Sequence, residues 1–312
     1  MHSRQLGTSQ LQASVLALGT AALGGNVADW GSVDDNEGVA AIHRALDGGI
    51  NLIDTSPAYG QGQAEILVGR AIRGRRGHVL LATKCGRLPG NGCPGGRICL
   101  TPENVIRECE ASLRRLQTDY VDLYQCDEPD PHTPIRQTLE ALAGLVREGK
   151  VRFIGLGHFG CQEITAAVEY GRICSVQTAF SLLNRRAAAD LIPLCVELNL
   201  GVLAHSPLAM GLLAGGYRPD SPITGIRSGN LNFKPPRYAR NLAFVEKLRD
   251  IAAGYGRTVG QLAVHWVLRQ PGVTTAVFGA TRPSQVEDIL GAVGWTLASE
   301  DEQRINALVR EL

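Results

Sequence analysis

Eight short apolar runs, rich in Val, Ile and Leu, punctuate this chain, and each is followed by a stretch of helical periodicity. They are SVLALG (14–19), INLID (50–54), VLLATK (79–84), VDLYQ (121–125), RFIGLG (152–157), SVQTAF (175–180), GVLAHS (201–206) and TTAVFG (274–279). Runs apolar at nearly every position read as strands buried on both faces, the pattern of a parallel sheet. Between them, TPENVIRECEASLRRL offers Thr101 as N-cap, Pro102 at the first helical position and Glu103 near the positive end of the helix dipole. Its Val105, Ile106, Cys109, Leu113 and Leu116 recur at helical spacing. TPIRQTLEALAGLVREGK opens the same way on Thr133 and Pro134 and stops at Gly149, while Gly48 and Gly49 close NEGVAAIHRALDGG.

Eight strand–helix alternations in 312 residues favour a closed (β/α)8 TIM barrel over an open doubly wound sheet, with residues 1–312 forming one domain. RQLGTSQLQ, ahead of the first unit, reads as a hairpin turning at Gly7-Thr8-Ser9 and plugging the barrel floor. The Gly/Pro/Ser-rich segment 215–238 is the longest irregular stretch and reads as a lid or binding loop. A net charge of +1 without basic runs argues against nucleic acid or an anionic membrane surface as partner. No apolar run approaches the roughly 20 residues of a membrane span, and the N-terminal residues lack a signal peptide's apolar core. The eight cysteines (85, 93, 99, 109, 126, 161, 174, 195) show no CxxC pair and no Cys/His metal spacing. They read as reduced thiols of a cytoplasmic protein without a metal, the crowding of Cys85, Cys93 and Cys99 in one loop leaving a local redox or metal role as the alternative. Nothing in the chain fixes an oligomeric state.

Barrel enzymes carry their reactive groups where strands run out into the following loops. Asp54, Lys84 and Asp127 hold such positions on three consecutive strands, with Tyr59 five residues beyond Asp54. A buried ammonium is costly unless paired, and Asp54 can pair Lys84. The cation in turn favours the phenolate and is expected to lower the pKa of Tyr59, so that the phenol can exchange a proton with a carbonyl or alcohol oxygen. Taken singly, a strand-end Asp is an ordinary loop cap and Lys84 an ordinary rim charge; their convergence favours function. Asp54, Asp127 and Glu128 also admit a glycosidase-like carboxylate pair.

NLIDTSPAYGQGQAEILVGRAI, VLLATKCG, GKVRFIGLG, VQTAFSLLNR, HSPLAMGLLAGG and FGATRPSQVEDIL, in this order, resemble the aldo-keto reductases over nearly the whole chain. The resemblance implies a (β/α)8 barrel that reduces carbonyls with NADPH through an Asp, Tyr, Lys, His tetrad, and a small-molecule substrate. By match, Asp54, Tyr59 and Lys84 fill the first three places. The matched cofactor segments are Ser206, Leu208 and Gly211 for the pyrophosphate, and Gly279, Thr281, Arg282, Gln285 and Asp288 for the adenosine end. Thr20, Ala21, Asp54, His158, Gln177 and His205 match positions around the nicotinamide. Arg282 would bond the adenosine 2′-phosphate, the physical basis for preferring NADPH. A member with little turnover, acting as a nucleotide-binding sensor or regulatory subunit, is the alternative.

The chain departs from the family around the nicotinamide. Asp127 stands where the family has its histidine, Gly157-His158 where it has Ser-Asn, and His205 where it commonly has Tyr. A neutral imidazole at 127 would polarise the substrate carbonyl, whereas an ionised carboxylate repels the alkoxide forming there. Four changes in one place read as a rebuilt pocket, with specialised metabolism as the implied setting. Asp127 can be a protonated donor, as in the steroid double-bond reductases that carry Glu there; an ionised group holding an amine or iminium; or a partner of His158, which then supplies the missing imidazole. Its ordinary role would be a loop cap. Glu128 beside it disfavours full protonation, so the ionised or His-paired form is preferred. Trp30, Tyr59, Asp127 and Glu128 are the expected substrate contacts, with Phe233 and Tyr238 further candidates for the pocket wall; Trp30, Phe233 and Tyr238 read equally as ordinary packing or surface aromatics.

Overall fold

A computed structural model describes residues 1–25, 30–31, 33–87 and 98–312. Strands β1 (Ser3–Gln5) and β2 (Gln12–Ser14) pair antiparallel. Then come β3 (Leu16–Gly19), β4 (Leu52–Asp54), β5 (Leu80–Cys85), β6 (Val121–Cys126), β7 (Val151–Leu156), β8 (Ile173–Ala179), β9 (Gly201–His205) and β10 (Val273–Gly279). All eight pair in parallel and in sequence, and β10 bonds β3 to close the barrel. Each apolar run read from the sequence is one barrel strand.

The outer layer comprises α1 (Asp35–Asp47), α2 (Gln63–Ala71), α3 (Pro102–Leu116), α4 (Ile135–Arg147), α5 (Cys161–Tyr170), α6 (Leu191–Glu197), α7 (Arg237–Ala253), α8 (Val259–Arg269), α9 (Pro283–Leu290) and α10 (Ser299–Arg310). The Thr101 hydroxyl accepts from the Asn104 N–H, as its sequence predicts. Thr133 does not cap α4. Its hydroxyl donates to Asp130 Oδ2 at 2.8 Å, because the Asp130 carboxylate organises the preceding turn and also accepts from the Leu100 and His132 N–H groups. The helix instead starts on Pro134 without a side-chain cap.

The hairpin sits at the N-terminal ends of the strands. Its Leu6, Leu11 and Ala13 join Leu52, Ala82, Leu123, Leu203 and Val277 in one buried cluster, so the floor of the barrel is packed apolar matter. Arg4 secures it by donating to the carbonyls of Val273 and Leu268. No helix among the described residues is long and apolar enough to cross a membrane.

The lid segment folds on itself. Phe233 (4% exposed) and Tyr238 (9% exposed) stack at 6.0 Å, Tyr217 closes on Phe233 at 5.3 Å, and the Tyr238 hydroxyl donates to Arg218 O. Phe233 and Tyr238 are therefore packed within the lid, the ordinary-packing alternative for these two aromatics. Five of the cysteines are buried free thiols and Cys161 is partly exposed. Cys99 is disulfide-bonded, which corrects the expectation of reduced thiols there. Cys85 is turned from the loop into the core, and Cys93 lies outside the described residues.

Candidate active site

Alternation along the strands sends Asp54, Lys84 and Gln125 into the barrel mouth, with Lys84 directly opposite Gln125 in the β5–β6 register. Lys84 is buried, and its ammonium has three acceptors for its three protons: Asp54 Oδ2 at 2.7 Å, Thr55 O at 3.0 Å and the Tyr59 hydroxyl at 3.3 Å. Gln125 Nε2 donates to the other Asp54 oxygen at 3.1 Å. Asp54 is thus held from two sides and cannot turn from Lys84 without losing a bond. Tyr59 is placed by a tight turn, Tyr59–Gly62, that runs against the loop after β3. A Cβ at Gly60 would lie 1.5 Å from Gly24 O, so only glycine lets the two loops meet.

Burial pushes the Tyr59 phenol up, and Lys84 pulls it down without prevailing; Asp54 and Asp127 add to the rise. This reverses the expected lowering. Desolvation also disfavours the Lys84 ammonium, but Asp54, then Tyr59 and Asp127, outweigh it and hold Lys84 above its ordinary value. The site therefore stores a neutral phenol beside a permanent cation, a donor arrangement.

Asp127 lies one residue past β6, buried, with its carboxylate within 3.6 Å of Arg87 Nε and 3.8 Å of His158 Nδ1. Arg87 also pairs with Glu128, so one guanidinium spans both acids. Backbone geometry welds this corner. The Asp127 carbonyl accepts from the His158 N–H at 2.8 Å, and a Cβ on Gly157 would stand 2.2 Å from that oxygen. His158 Nε2 lies 3.0 Å from His205 Nε2, and His205 Nδ1 lies 3.0 Å from Ser206 Oγ. Burial lowers the His158 pKa, helped by Arg87 and Lys84 and opposed by Asp127; burial, His158 and Lys84 push His205 down to about 3. Both imidazoles are neutral near pH 7.

The remaining sequence-derived residues ring the same mouth. Thr20 donates to Asp54 O, and Ala21 opens the next turn. Gln177, 2% exposed on β8, has an amide nitrogen with no hydrogen-bond partner, a buried donor fit for a carbonyl oxygen. After β9, Ser206, Ala209, Met210 and Gly211 all take positive φ, and Leu208 turns the chain between them. Such a run of left-handed residues exposes backbone in the manner of an anion-binding concavity. Gly279 ends β10 exposed, and exposed Arg282 stands at the start of α9. Gln285 is taken by Thr281, whose N–H and hydroxyl both donate to it, and Asp288 accepts from Thr258 and Gln261, tying α9 to α8. These two shape the segment through its backbone. The Trp30 ring lies beneath Arg227 (5.1 Å), which also donates to Met210 O.

Sequence reasoning missed Gln125, Thr55 and Arg87. Period-two alternation back from Asp127 would have placed Gln125 on the mouth side; the Thr55 contact is through its carbonyl and Arg87 lies in irregular chain, so neither leaves a pattern.

A family model described as the aldo/keto reductase family matches residues 15–310. Aldo-keto reductase YhdN of Bacillus subtilis (strain 168) is 36% identical over 314 residues, 99% of this chain and 94% of that protein. The NADH-specific methylglyoxal reductase of Escherichia coli (strain K12) is 33% identical, covering 98% of this chain and 97% of its own length. Among solved structures, the glycerol dehydrogenase of Gluconobacter oxydans superposes with a TM-score of 0.90 at 33% identity, covering 99% of this chain and 95% of that one. An aldo/keto reductase from Klebsiella pneumoniae, in complex with NADP and acetate, superposes at 0.76 and 29% identity over 98% and 95% of the two chains. The barrel, its buried Asp–Lys–Tyr constellation and these matches agree: the chain belongs to the aldo/keto reductase family.

Proposed function

We propose that the protein is an NADPH-dependent oxidoreductase that adds hydride to a small polar substrate, a carbonyl, an imine or iminium, or an activated C=C, with Tyr59 as proton donor. The observation that carries this reading is the Lys84 ammonium joined at once to Asp54, Thr55 O and the Tyr59 hydroxyl. When bound, the reduced nicotinamide supplies the hydride. As the substrate carbon accepts it, the π pair moves onto a carbonyl oxygen or imine nitrogen, which takes its proton from Tyr59; an iminium nitrogen becomes a neutral amine without one, and the enolate formed from an activated C=C is protonated on carbon. The phenolate left behind is stabilised by Lys84 until solvent restores the proton.

Gln177 would hold the nicotinamide amide, with His205 against the ring and Thr20 and Ala21 at its edge, while His158, matched to the same region, is turned to the substrate side. Ser206, Leu208 and Gly211 would take the pyrophosphate, and Gly279, Thr281 and Arg282 the adenosine end, supported behind by Gln285 and Asp288. The unpartnered Gln177 amide and the left-handed run after β9 support the fit. Relatives differ in cofactor: one is described as NADH-specific and another is in complex with NADP. Exposed Arg282 favours the phosphorylated form.

Asp127, with the Arg87 guanidinium 3.6 Å from its carboxylate, acts as an anion. It holds a cationic or N–H-bearing part of the substrate, and His158 beside it provides the polarising donor that position 127 lacks. Turnover of NADPH with neutral aldehydes, amino ketones, cyclic iminium ions and enones tests this. Asp127→Asn is expected to weaken the cationic substrates most. Stoichiometric NADPH binding without turnover of any of them would overturn the enzyme reading in favour of a sensor or regulatory subunit.

A further inference from the structure

His158 has a polar neighbour on each ring nitrogen. Nδ1 faces Asp127, at 3.4 Å from its carbonyl and 3.8 Å from its carboxylate, and Nε2 faces His205 Nε2 at 3.0 Å. Both Asp127 oxygens can only accept, so the single proton of a neutral His158 belongs on Nδ1. Its Nε2 is then a lone pair, and the 3.0 Å contact requires a proton on His205 Nε2. That leaves His205 Nδ1 as a lone pair, which the Ser206 hydroxyl meets at 3.0 Å. With both rings neutral, one arrangement of three protons satisfies all three contacts, and it runs from Ser206 through His205 to His158.

We propose that His205, backed by Ser206, is a positioning residue that fixes the tautomer of His158, directing its one N–H to the Asp127 end of the mouth. The proposal rests on His158 as the donor to substrate and says what makes it one. Unassisted imidazole in water prefers its proton on Nε2, which here would point at His205 and leave Nδ1 unable to donate. The one Nδ1–H bond is long, 3.4 Å to the Asp127 carbonyl, and the carboxylate at 3.8 Å is beyond hydrogen-bond reach, so this donor is only loosely engaged and can turn to a substrate oxygen. A third group that sets which imidazole nitrogen carries the proton is a known catalytic device. A mere aromatic platform for the cofactor would be served by any flat ring. The hydrogen-bond chain is served only by a side chain that donates at this point.

Two variants of the full chain separate these roles. His205→Phe keeps an aromatic ring and removes the donor; His205→Gln loses the ring and keeps an N–H. Long-range proton–nitrogen NMR on protein with isotopically labelled histidine nitrogens reads the tautomer of each ring without needing turnover. The wild type is expected to show His158 with Nδ1–H, His205→Phe to move that proton to Nε2, and His205→Gln to return it to Nδ1. Ser206→Ala, which leaves both rings in place, should shift the equilibrium the same way by less. With the best carbonyl substrate, kcat should fall on the order of tenfold in His205→Phe and recover in His205→Gln, with KM little changed. An Nε2–H tautomer for His158 in the wild type, or an unmoved Nδ1–H in His205→Phe, overturns the proposal. Tautomers that behave as expected in a protein that turns over no carbonyl uphold the positioning role and refute the reading of enzymatic function instead.

Discussion

Replacing Lys84 by methionine keeps most of the side-chain volume and deletes one charge and three hydrogen bonds. What remains is Asp54, 3% exposed, with a single donor from Gln125 at 3.1 Å. Stranding one partner of a buried ion pair costs about 3–5 kcal/mol. At roughly 2 °C of Tm per kcal/mol for a chain of this size, thermal unfolding should begin some 6–10 °C lower. Adding Asp54→Asn removes the stranded charge while keeping an acceptor and a donor in place. The double variant should therefore regain part of the loss, with a coupling of about 2–3 kcal/mol between the two positions. Activity should not follow: without the ammonium beside Tyr59, kcat falls by roughly 10²–10⁴ in both Lys84→Met and the double variant. Circular-dichroism melts of the wild type, both single variants and the double variant give the cycle, and single-turnover NADPH oxidation gives the chemistry. A double variant as unstable as Lys84→Met, or one that recovers activity along with stability, would refute the account of Lys84 as charge partner and proton-site cation at once.

Tyr59→Phe should lower reduction by roughly 10²–10⁴ while leaving the melt and NADPH binding near wild type, since only the 3.3 Å bond to Lys84 is lost. Because the phenol sits above its ordinary value, reduction should stay level through neutral pH and decline only in the alkaline range where Tyr59 ionises, while alcohol oxidation, which needs the phenolate, rises there; a Tyr59-dependent limb near pH 7 in kcat would contradict this. Arg282→Ala should raise the NADPH Kd about 10–100-fold and leave NADH unchanged, by fluorescence titration; equal effects on both cofactors would remove Arg282 from the phosphate site. Gly157→Ala forces a Cβ to 2.2 Å from Asp127 O and should cost about 1–3 kcal/mol in a denaturant melt, with an unchanged midpoint refuting the close approach.

How much was legible in the chain depended on whether a role is carried by pattern or by contact. The eight strands were readable because both faces of each are buried, and burial writes itself as unbroken Val, Ile and Leu. Asp54 and Lys84 were readable because they interrupt such runs at their last positions, where a polar residue has no packing reason to be, and Asp127 because it follows its strand directly into the loop. Thr133 misled because the Thr-Pro pair is a cap only if the hydroxyl is free, and Asp130, three residues earlier, competes for it. The direction of the Tyr59 shift misled for a quantitative reason. The sequence names the cation that lowers it, but the depth of burial that raises it is a property of the assembled mouth. Phe233 and Tyr238 lie in a segment long enough to fold back on itself, and no periodicity distinguishes an aromatic that lines a pocket from one that fills its own loop.

Asp127, Gly157, His158 and His205, the positions whose residues read as departing from the family, are in contact as one group. Without a Cβ at Gly157, the end of β7 can approach the Asp127 carbonyl, and the His158 N–H takes up that carbonyl at 2.8 Å. The same step brings the His158 ring to Asp127 on one nitrogen and to His205 on the other. Restoring a histidine at 127 alone would therefore not restore an ordinary reductase. It would leave Arg87 with Glu128 as its one remaining acid in this corner and withdraw the carboxylate that, with the backbone carbonyl, holds the His158 proton on Nδ1. The corner then contains a guanidinium and three imidazoles around Glu128, and the protons of the three rings must be placed anew. Chemistry at this mouth is set by a group of side chains whose protons are placed jointly, and single substitutions toward the family pattern should lose the present function before they gain the usual one.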